Sequence, residues 1–216
     1  MATANRTKIH TVYKNAAGKR LPSVTTVLGI INKPALLDWA WKCGKDGLDY
    51  KAVRDDAGSV GTLAHYLILC HLRGETPDLH EWAPDQVSRA VNTLVKYADW
   101  VTPHRLEPIL TEQPLVSETY GYGGTPDCLA RLDGELVLLD FKSGKAIYSE
   151  MLYQLGAYWQ LIWETRRETI DHARILRIGR EDTEDFEERR YSMADLTRGW
   201  QIFYACLDLY RLLGQK

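Results

Sequence analysis

Features that mark several common protein classes are missing from this sequence of 216 residues. No apolar run is long enough to cross a membrane, and the first residues, Met1–Arg6, lack the apolar core of a signal peptide. Internal repeats and low-complexity linkers are absent as well. We therefore expect no membrane association, a cytoplasmic location (that of the host cell for a phage protein), and a single well-cored domain over residues 1–216.

Cysteine is scarce, and the sequence has no Cys-x-x-Cys pair. The four cysteines are widely separated: Cys43, Cys70, Cys128 and Cys206. An iron–sulfur cluster needs convergent thiolates, and this spacing does not suggest them. We predict no iron–sulfur cluster and expect four buried, reduced thiols that pack as small apolar residues in a reducing cytosol.

An excess of positive charge is also missing, since 27 basic residues face 29 acidic ones and the formal net charge is −2. This balance weighs against a nucleic-acid partner, but the charge is unevenly distributed. Residues 1–37 hold six basic side chains and no acidic one, and such an arm could contact a phosphate backbone. We expect that contact for Lys19 and Arg20, whereas Arg6 and Lys8 could equally belong to a solvated tail.

Two neighbouring strands are predicted near the middle of the chain. Asp127 opens a strand that continues to Leu132, and Asp133-Gly134 is a typical hairpin turn. The next strand, Glu135–Lys142, is a nearly continuous apolar run, as expected for a buried strand, until charge returns at its end. The pattern therefore places charged side chains where two adjacent strands meet the edge of an apolar core.

These charged residues predict a cation site. Because side chains alternate along a strand, Asp140 and Lys142 should point to one side and Phe141 to the other. Carboxylate oxygens of Asp127 and Asp140 that converge from adjacent strands suit a hard divalent cation such as magnesium. A surface ion pair between Asp140 and Lys142 is the alternative interpretation.

Two further segments supply polar side chains. A predicted helix places Gln154 and Tyr158 on one face, because residues four apart lie one turn above each other. A predicted strand over residues 106–119 carries Glu112 and Glu118 on the same side of the sheet. Either glutamate could therefore join the predicted cation site.

Five sequence elements, taken in order, resemble the PD-(D/E)xK nucleases of the RecB type, a group that includes phage exonucleases and the mitochondrial genome maintenance exonuclease. The elements are Gly61-Thr62-Leu63-Ala64-His65, Glu112, Gly124-Thr125-Pro126-Asp127, Asp140-Phe141-Lys142 and Gln154-Leu155-Gly156-Ala157-Tyr158. The segment Pro22–Leu28 also looks like the opening of that group, and the resemblance covers about residues 20–165.

The resemblance implies an α/β fold with a central mixed β-sheet flanked by helices, the restriction-endonuclease-like core. It implies a DNA exonuclease that depends on Mg²⁺ or Mn²⁺ and acts on ends or single strands in phage-type recombination or replication. DNA would be the partner, with a recombination or replication protein as a further one. The alternatives are a non-catalytic DNA-binding protein that keeps the fold and a site-specific endonuclease.

The resemblance also implies roles for individual residues. The metal ligands would be Asp127, Asp140, the carbonyl of Phe141 and His65, although a lone histidine in an apolar helix is usually a core residue. Glu112, favoured over Glu118 by the family spacing, would be a further acidic member of the site. Lys142 would orient or deprotonate the attacking water and stabilise the developing charge.

The remaining candidates would contact the substrate. Gln154 and Tyr158 would position the DNA strand or order the site. Ser143 would let the backbone approach a phosphate, although a simple turn explains it equally well. Thr25, in the opening segment, is a further candidate for contact with DNA.

The rest of the chain is predicted as a series of short elements. A basic arm of residues 1–20 includes a hairpin over Tyr13–Leu21, and the catalytic core spans about residues 20–192. In the core we predict one helix from Pro34 to about Cys43, a second that continues to about Arg54 and is broken at Gly58 and Gly61, and a third from Pro84 to about Trp100. The predicted strands cover residues 106–119, 125–133, 135–142, 173–178 and 186–191, and a closing helix covers about 193–213.

Exposed aromatic side chains would help to bind a single strand, because unpaired bases stack on them. Tyr13, Trp39 and Trp41 are candidates. Both tryptophans lie in an apolar helix, so we expect them in the core instead.

Overall fold

The computed structural model describes residues 11–181 and 183–214. Arg6 and Lys8 of the basic arm lie outside them. The elements in chain order are β1 (Tyr13–Lys14), β2 (Arg20–Leu21), α1 (Val24–Leu28), α2 (Pro34–Lys45), α3 (Tyr50–Arg73), α4 (Pro84–Val101), β3 (Leu106–Thr111), β4 (Leu115–Ser117), β5 (Tyr122–Gly124), β6 (Cys128–Leu132), β7 (Glu135–Lys142), α5 (Ser149–Arg166), β8 (His172–Ile178), β9 (Phe186–Tyr191) and α6 (Met193–Leu212).

The main sheet has five strands in the order β3-β6-β7-β8-β9. All neighbours are antiparallel except β7 and β8, which are parallel and are joined through α5. Two small sheets pair β1 with β2 and β4 with β5. A mixed sheet with helices around it confirms the predicted α/β fold class, and the β1–β2 pair confirms the predicted hairpin.

Strand β7 is buried on both faces, as its apolar sequence predicts. Leu136 and Leu138 belong to a core that includes residues of α1, α5 and α6. Val137, Leu139 and Phe141 point the other way, into a core formed with α3 and α4. The helices therefore cover the sheet as two layers, and β7 runs between them.

The turn between β6 and β7 sets the register of the central strands. Asp133 (φ 53°) and Gly134 (φ 94°) are both left-handed, as a tight two-residue hairpin turn requires. Cys128 consequently pairs with Leu139, so Asp127 comes level with Asp140 on the next strand. The hairpin turn read from the sequence is confirmed, and it aligns the two aspartates.

The predicted helix break at Gly58 and Gly61 is wrong, because α3 continues through both glycines to Arg73. A glycine weakens a helix without ending it when the surrounding residues pack well. At Gly61 a Cβ atom would lie 2.8 Å from Ser143 Oγ. This glycine therefore allows α3 to approach the end of β7 closely.

The predicted strand over residues 106–119 is also wrong as one unit, because it divides into β3 and β4. Glu112 has a φ of 45°, which bends the chain out of the main sheet. Pro114 lacks an amide hydrogen and restricts the residue before it, which favours a break here. The alternation argument for Glu112 and Glu118 therefore fails, and Glu118 instead accepts a hydrogen bond from the Ala16 amide (2.8 Å).

The expectation that both tryptophans of α2 lie in the core is wrong for Trp41, which is 65% exposed. Trp39 is partly buried and packs edge-on against Tyr50, with the ring centroids 6.4 Å apart. Helix α2 makes few contacts with the rest of the described residues, so its apolar side chains remain exposed and its composition is a poor predictor of burial. Among the described helices, none has the length and apolar character of a membrane span.

Candidate metal centre

Three adjacent strand ends bring three carboxylates to one end of the sheet. Asp127 precedes β6 and lies level with Asp140 on β7. The Glu112 amide donates a hydrogen bond to the Asp127 carbonyl oxygen (3.0 Å), which continues the row to the end of β3. Backbone pairing therefore places these acidic residues side by side.

The side chains of His65, Glu112 and Asp127 converge. One donor atom from each lies within 4.8 Å of the other two, and all three residues are half-buried. His65 Nδ1 is 3.8 Å from Asp127 Oδ2. Two carboxylates and an imidazole at this spacing are compatible with a divalent cation. Asp140 does not belong to this set of three.

His65 reaches the site from α3, on the opposite layer from α5. Its ring packs edge-on against Phe141, with the centroids 6.3 Å apart. Gly61 lies one helical turn earlier on the same face, where α3 touches Ser143. The glycine and the histidine of the first sequence element thus act together, because the close approach at Gly61 brings His65 to the end of the sheet.

Asp127 is held in place by the backbone of the neighbouring strand. The Phe141 amide donates a hydrogen bond to Asp127 Oδ2 (2.8 Å). This bond satisfies one oxygen of the carboxylate and fixes its orientation at the edge of the site. Phe141 thereby contributes its amide and its ring, and a role for its carbonyl oxygen remains a prediction.

Asp140 and Lys142 point to the same side of β7, as strand alternation predicts. Lys142 Nζ lies 2.6 Å from Asp140 Oδ2, and the Asp140 side chain is only 1% exposed. Neither oxygen of Asp140 accepts a well-directed hydrogen bond from the described residues. The contact is therefore an ion pair that partly neutralises the Asp140 charge. The oxygens of Asp140 can still accept hydrogen bonds or bind a cation, and burying them without such a partner costs free energy.

Burial and neighbouring negative charge shift the pKa values of Asp140 and Glu112 upward. Burial raises the pKa of Asp140 to about 6; the Lys142 ammonium opposes this rise and the Asp127 carboxylate adds to it. Burial, followed by the charge of Asp127, raises the pKa of Glu112. Negative charge is therefore concentrated at this end of the sheet, and a bound cation would relieve it.

Lys142 is held as an ammonium ion. Burial works against its charge, but the carboxylates of Asp140 and Asp127 outweigh that effect and raise its pKa. The Lys142 side chain is 20% exposed, whereas Asp140 is enclosed. The positive end of the pair is therefore the part that solvent reaches.

Gln154 and Tyr158 lie together on α5, as their spacing predicts. Gln154 Nε2 donates a hydrogen bond to the Tyr158 hydroxyl (2.8 Å), so the phenolic proton remains free for donation. Burial, together with the nearby Asp127 and Asp140 carboxylates, raises the pKa of Tyr158 well above its usual value. The phenol is therefore neutral and can act as a hydrogen-bond donor beside the carboxylates.

Two residues, Tyr13 and Arg73, support the site in ways that the sequence does not predict. The Tyr13 hydroxyl is 2.8 Å from Thr125 Oγ1, and a Cβ atom at Gly123 would collide with the Tyr13 ring. The Arg73 guanidinium donates to the Thr111 carbonyl oxygen (2.8 Å), next to Glu112. Tyr13 is buried and thus unavailable for base stacking. In the sequence, the only indication that a side chain packs closely against this strand is the pair of adjacent glycines, Gly123 and Gly124.

The residues predicted to contact DNA do not form one cluster. Lys19 and Arg20 are exposed on the β1–β2 hairpin. Thr25 is exposed at the start of α1, with its hydroxyl 3.0 Å from Ser23 Oγ. Ser143 is partly buried where β7 ends, next to Gly61. Their contact with DNA stays a prediction.

The four cysteines and the other described histidines lie outside the site. Cys43, Cys70 and Cys128 are buried and Cys206 is half-buried. His104 pairs with Asp133 (2.6 Å) near the β6–β7 turn.

Comparison with protein-family models and with curated proteins finds no match. Among solved structures, a candidate exonuclease from Eubacterium rectale is 9% identical with a TM-score of 0.48; the alignment covers 71% of this chain and 66% of that protein, slightly under two thirds. LHK-Exo, solved in complex with dAMP, is 15% identical with a TM-score of 0.34, covering 74% of this chain and 91% of that one. TM-scores below 0.5 do not establish a shared fold, so the function must be inferred from the site itself.

Proposed function

We propose that the chain is a metal-dependent deoxyribonuclease that hydrolyses DNA phosphodiester bonds, and that it acts as an exonuclease on ends or single strands. The observation that carries this proposal is the convergence of His65, Glu112 and Asp127 beside the buried Asp140–Lys142 pair. Oxygen and imidazole donors next to an ammonium ion match the needs of phosphodiester hydrolysis. The order of the five sequence elements supports the same assignment.

The residues present fit a divalent cation. Asp140 has two buried oxygens without directed hydrogen bonds, and Asp127 has one oxygen free of the Phe141 amide. His65 and Glu112 complete a donor set of mixed nitrogen and oxygen atoms. Carboxylates suit both Mg²⁺ and Mn²⁺, whereas an imidazole is more typical of a transition metal. We therefore include Mn²⁺ beside Mg²⁺ as the cofactor.

A bound divalent cation supplies Lewis-acid activation of water and neutralises charge on the scissile phosphate. The Lys142 ammonium is placed to orient the attacking water and to stabilise negative charge on the phosphate as it develops. Its raised pKa favours these roles over proton abstraction.

Tyr158 and Gln154 are placed to position the substrate. The free phenolic proton of Tyr158 can be donated to a phosphate oxygen, and Gln154 fixes the orientation of the ring hydroxyl. The Tyr158 ring is buried and packs against the backbone of Gly124. Ser143, which follows β7, offers a hydroxyl and a backbone amide to the phosphates of the same DNA strand.

The proposal is tested by incubating the purified chain with linear and circular DNA, each in single- and double-stranded form. Each reaction contains Mg²⁺, Mn²⁺ or a chelator. We expect linear DNA to be degraded with either metal and to survive in the chelator. Nicking of circular DNA would favour an endonuclease, and DNA retention without metal-dependent cleavage would favour a non-catalytic DNA-binding protein.

The role in phage-type recombination or replication, the associated protein partner and the cytoplasmic location remain predictions. They follow from the sequence resemblance and composition alone.

A further inference from the structure

Helix α2 carries a line of exposed apolar and basic side chains. Leu37, Trp41 and Lys45 are four residues apart on the helix and Lys33 immediately precedes its first turn; together these four residues are here called the α2 stripe. Leu37 is 76% exposed and Trp41 is 65% exposed. Apolar side chains this exposed, side by side on one element, indicate a binding surface.

The charges of the α2 stripe favour an anionic partner. Lys45 Nζ lies 5.5 Å from the centroid of the Trp41 ring, and Lys42 lies in the same last turn of the helix. The one carboxylate of α2, on Asp38, is three residues before Trp41 and four before Lys42, so it lies beside them, but the two lysines of the last turn outnumber it. Lysine is depleted in protein–protein interfaces, so an indole between lysines suits a phosphate-bearing partner better than a second protein.

The α2 stripe is connected to the candidate metal centre through α5. Lys33 Nζ lies 3.5 Å from Glu150 Oε1 in the first turn of α5. Glu150, Gln154 and Tyr158 are spaced four residues apart and lie on one face of α5. Lys33 therefore links the start of the stripe to α5, the helix that carries Gln154 and Tyr158.

We propose that the α2 stripe binds single-stranded DNA, with an unpaired base stacked on the indole of Trp41 and the phosphates close to Lys42 and Lys45. The bound strand continues along α5 to the carboxylates at the end of the sheet. This inference rests on the proposed nuclease function and specifies how its substrate is held. Stacking on an indole needs an unpaired base, so the surface selects single strands over duplex DNA.

The test measures binding of a fluorescein-labelled oligothymidine by fluorescence anisotropy, in chelator so that no cleavage occurs. Since stacking of one base on an aromatic ring contributes substantially to affinity, Trp41→Ala should weaken binding at least about fivefold. Trp163→Ala is the matched control, because Trp163 is 41% exposed on α5 and also has a cation near its ring, Arg167 at 6.0 Å. The control should bind like the parent.

Two further measurements separate stacking from simple charge attraction. An abasic oligodeoxynucleotide of the same length keeps the phosphates and lacks the bases, so the parent should bind it as weakly as Trp41→Ala binds oligothymidine. Lys45→Ala should lower the slope of log affinity against log salt by about 0.7, the value for one phosphate contact with a single strand. Equal binding of the abasic and normal strands by the parent would overturn the inference.

Other outcomes decide between this inference and its alternatives. Equal affinity of Trp41→Ala and the parent would overturn it, and if the parent still cleaves DNA, the nuclease proposal stands. Trp41-dependent binding by a parent that never cleaves DNA would support the inference and remove the nuclease proposal. Sedimentation that shows a parent dimer lost in Trp41→Ala would overturn it in favour of an interface between two copies.

Discussion

Lys142 Nζ lies 2.6 Å from Asp140 Oδ2, and Asp140 is enclosed while Lys142 is partly exposed. The sequence predicts the two residues together at the edge of the apolar core. In the structure the Asp140 side chain is completely buried. Asp140 therefore affects the stability of the chain as well as its proposed chemistry, and Lys142 allows the chemistry to be tested more cleanly.

Asp140→Asn should stabilise the metal-free protein at neutral pH. The pKa of Asp140 is about 6 in the fold and 3.8 in its ordinary state, so the folded chain binds more protons between these values. Stability contributed by the protonated form is therefore present below about pH 4 and is lost as pH rises through about 6. Asparagine does not ionise, so above pH 6 the free energy of unfolding of the variant should exceed that of the parent by on the order of 1 to 3 kcal/mol.

Urea unfolding of both proteins in chelator, across this pH range, measures the difference. The difference in unfolding free energy between the two proteins should shrink toward pH 4, where Asp140 of the folded parent is protonated. A difference in unfolding free energy that stays constant with pH would show that ionisation of Asp140 has no part in it.

Divalent metal should raise the melting temperature of the parent, because a ligand that binds only the folded state stabilises it by mass action. His65→Ala and Asp127→Asn each remove a donor of the convergent set, so both should reduce the shift produced by Mn²⁺. His104→Ala is the control, since His104 pairs with Asp133 away from the site. Thermal scans with and without Mn²⁺ measure the effect; equal shifts in all four proteins would exclude His65 and Asp127 as ligands.

Lys142→Met should lower the rate of DNA cleavage at least about a hundredfold while metal binding persists, because it removes the charge that stabilises the phosphate in the transition state. The methionine keeps most of the aliphatic side chain, and without the ammonium the pKa of Asp140 rises further, so that this carboxyl can become neutral and the fold is preserved. Lys145→Met, at an exposed position three residues later, should cleave at nearly the parent's rate. Single-turnover cleavage of end-labelled DNA makes the comparison, and unchanged cleavage by Lys142→Met would remove this lysine from the mechanism.

Gly124→Ala should destabilise the chain by about 1 to 3 kcal/mol through overpacking. A Cβ atom there would lie 2.7 Å from Tyr158 Cε1 and 2.9 Å from Leu161 Cδ1. Gly144→Ala is the control, because a Cβ atom at Gly144 meets nothing within 4 Å. Urea unfolding distinguishes the two variants, and similar midpoints would mean that Tyr158 can move aside at no cost.

The central strands and the Asp140–Lys142 pair were predictable because they depend on local rules. Alternation along β7 and the turn at Asp133-Gly134 fix which side chains share a face and which strands pair. Gln154 and Tyr158 are four residues apart on one helix, and this spacing alone brings their side chains into contact. Each of these relationships requires only a strand or a helix and no knowledge of distant packing.

The remaining features depend on contacts between segments far apart in the sequence. The left-handed turn at Glu112 follows from β4 leaving the main sheet to pair with β5. Tyr13 reaches Thr125 across the molecule, a contact that no local pattern predicts. Trp41 was expected in the core because its helix is apolar, but no other element covers that side of α2 among the described residues.

The central claim is that one divalent cation binds where His65, Glu112 and Asp127 converge, beside Asp140. Anomalous scattering from crystals grown with Mn²⁺ tests it most directly. The structure predicts a manganese peak at bonding distance, roughly 2.1 Å, from a His65 nitrogen and an Asp127 oxygen. The absence of a peak between these side chains at saturating Mn²⁺, or a peak that touches none of them, would contradict the account.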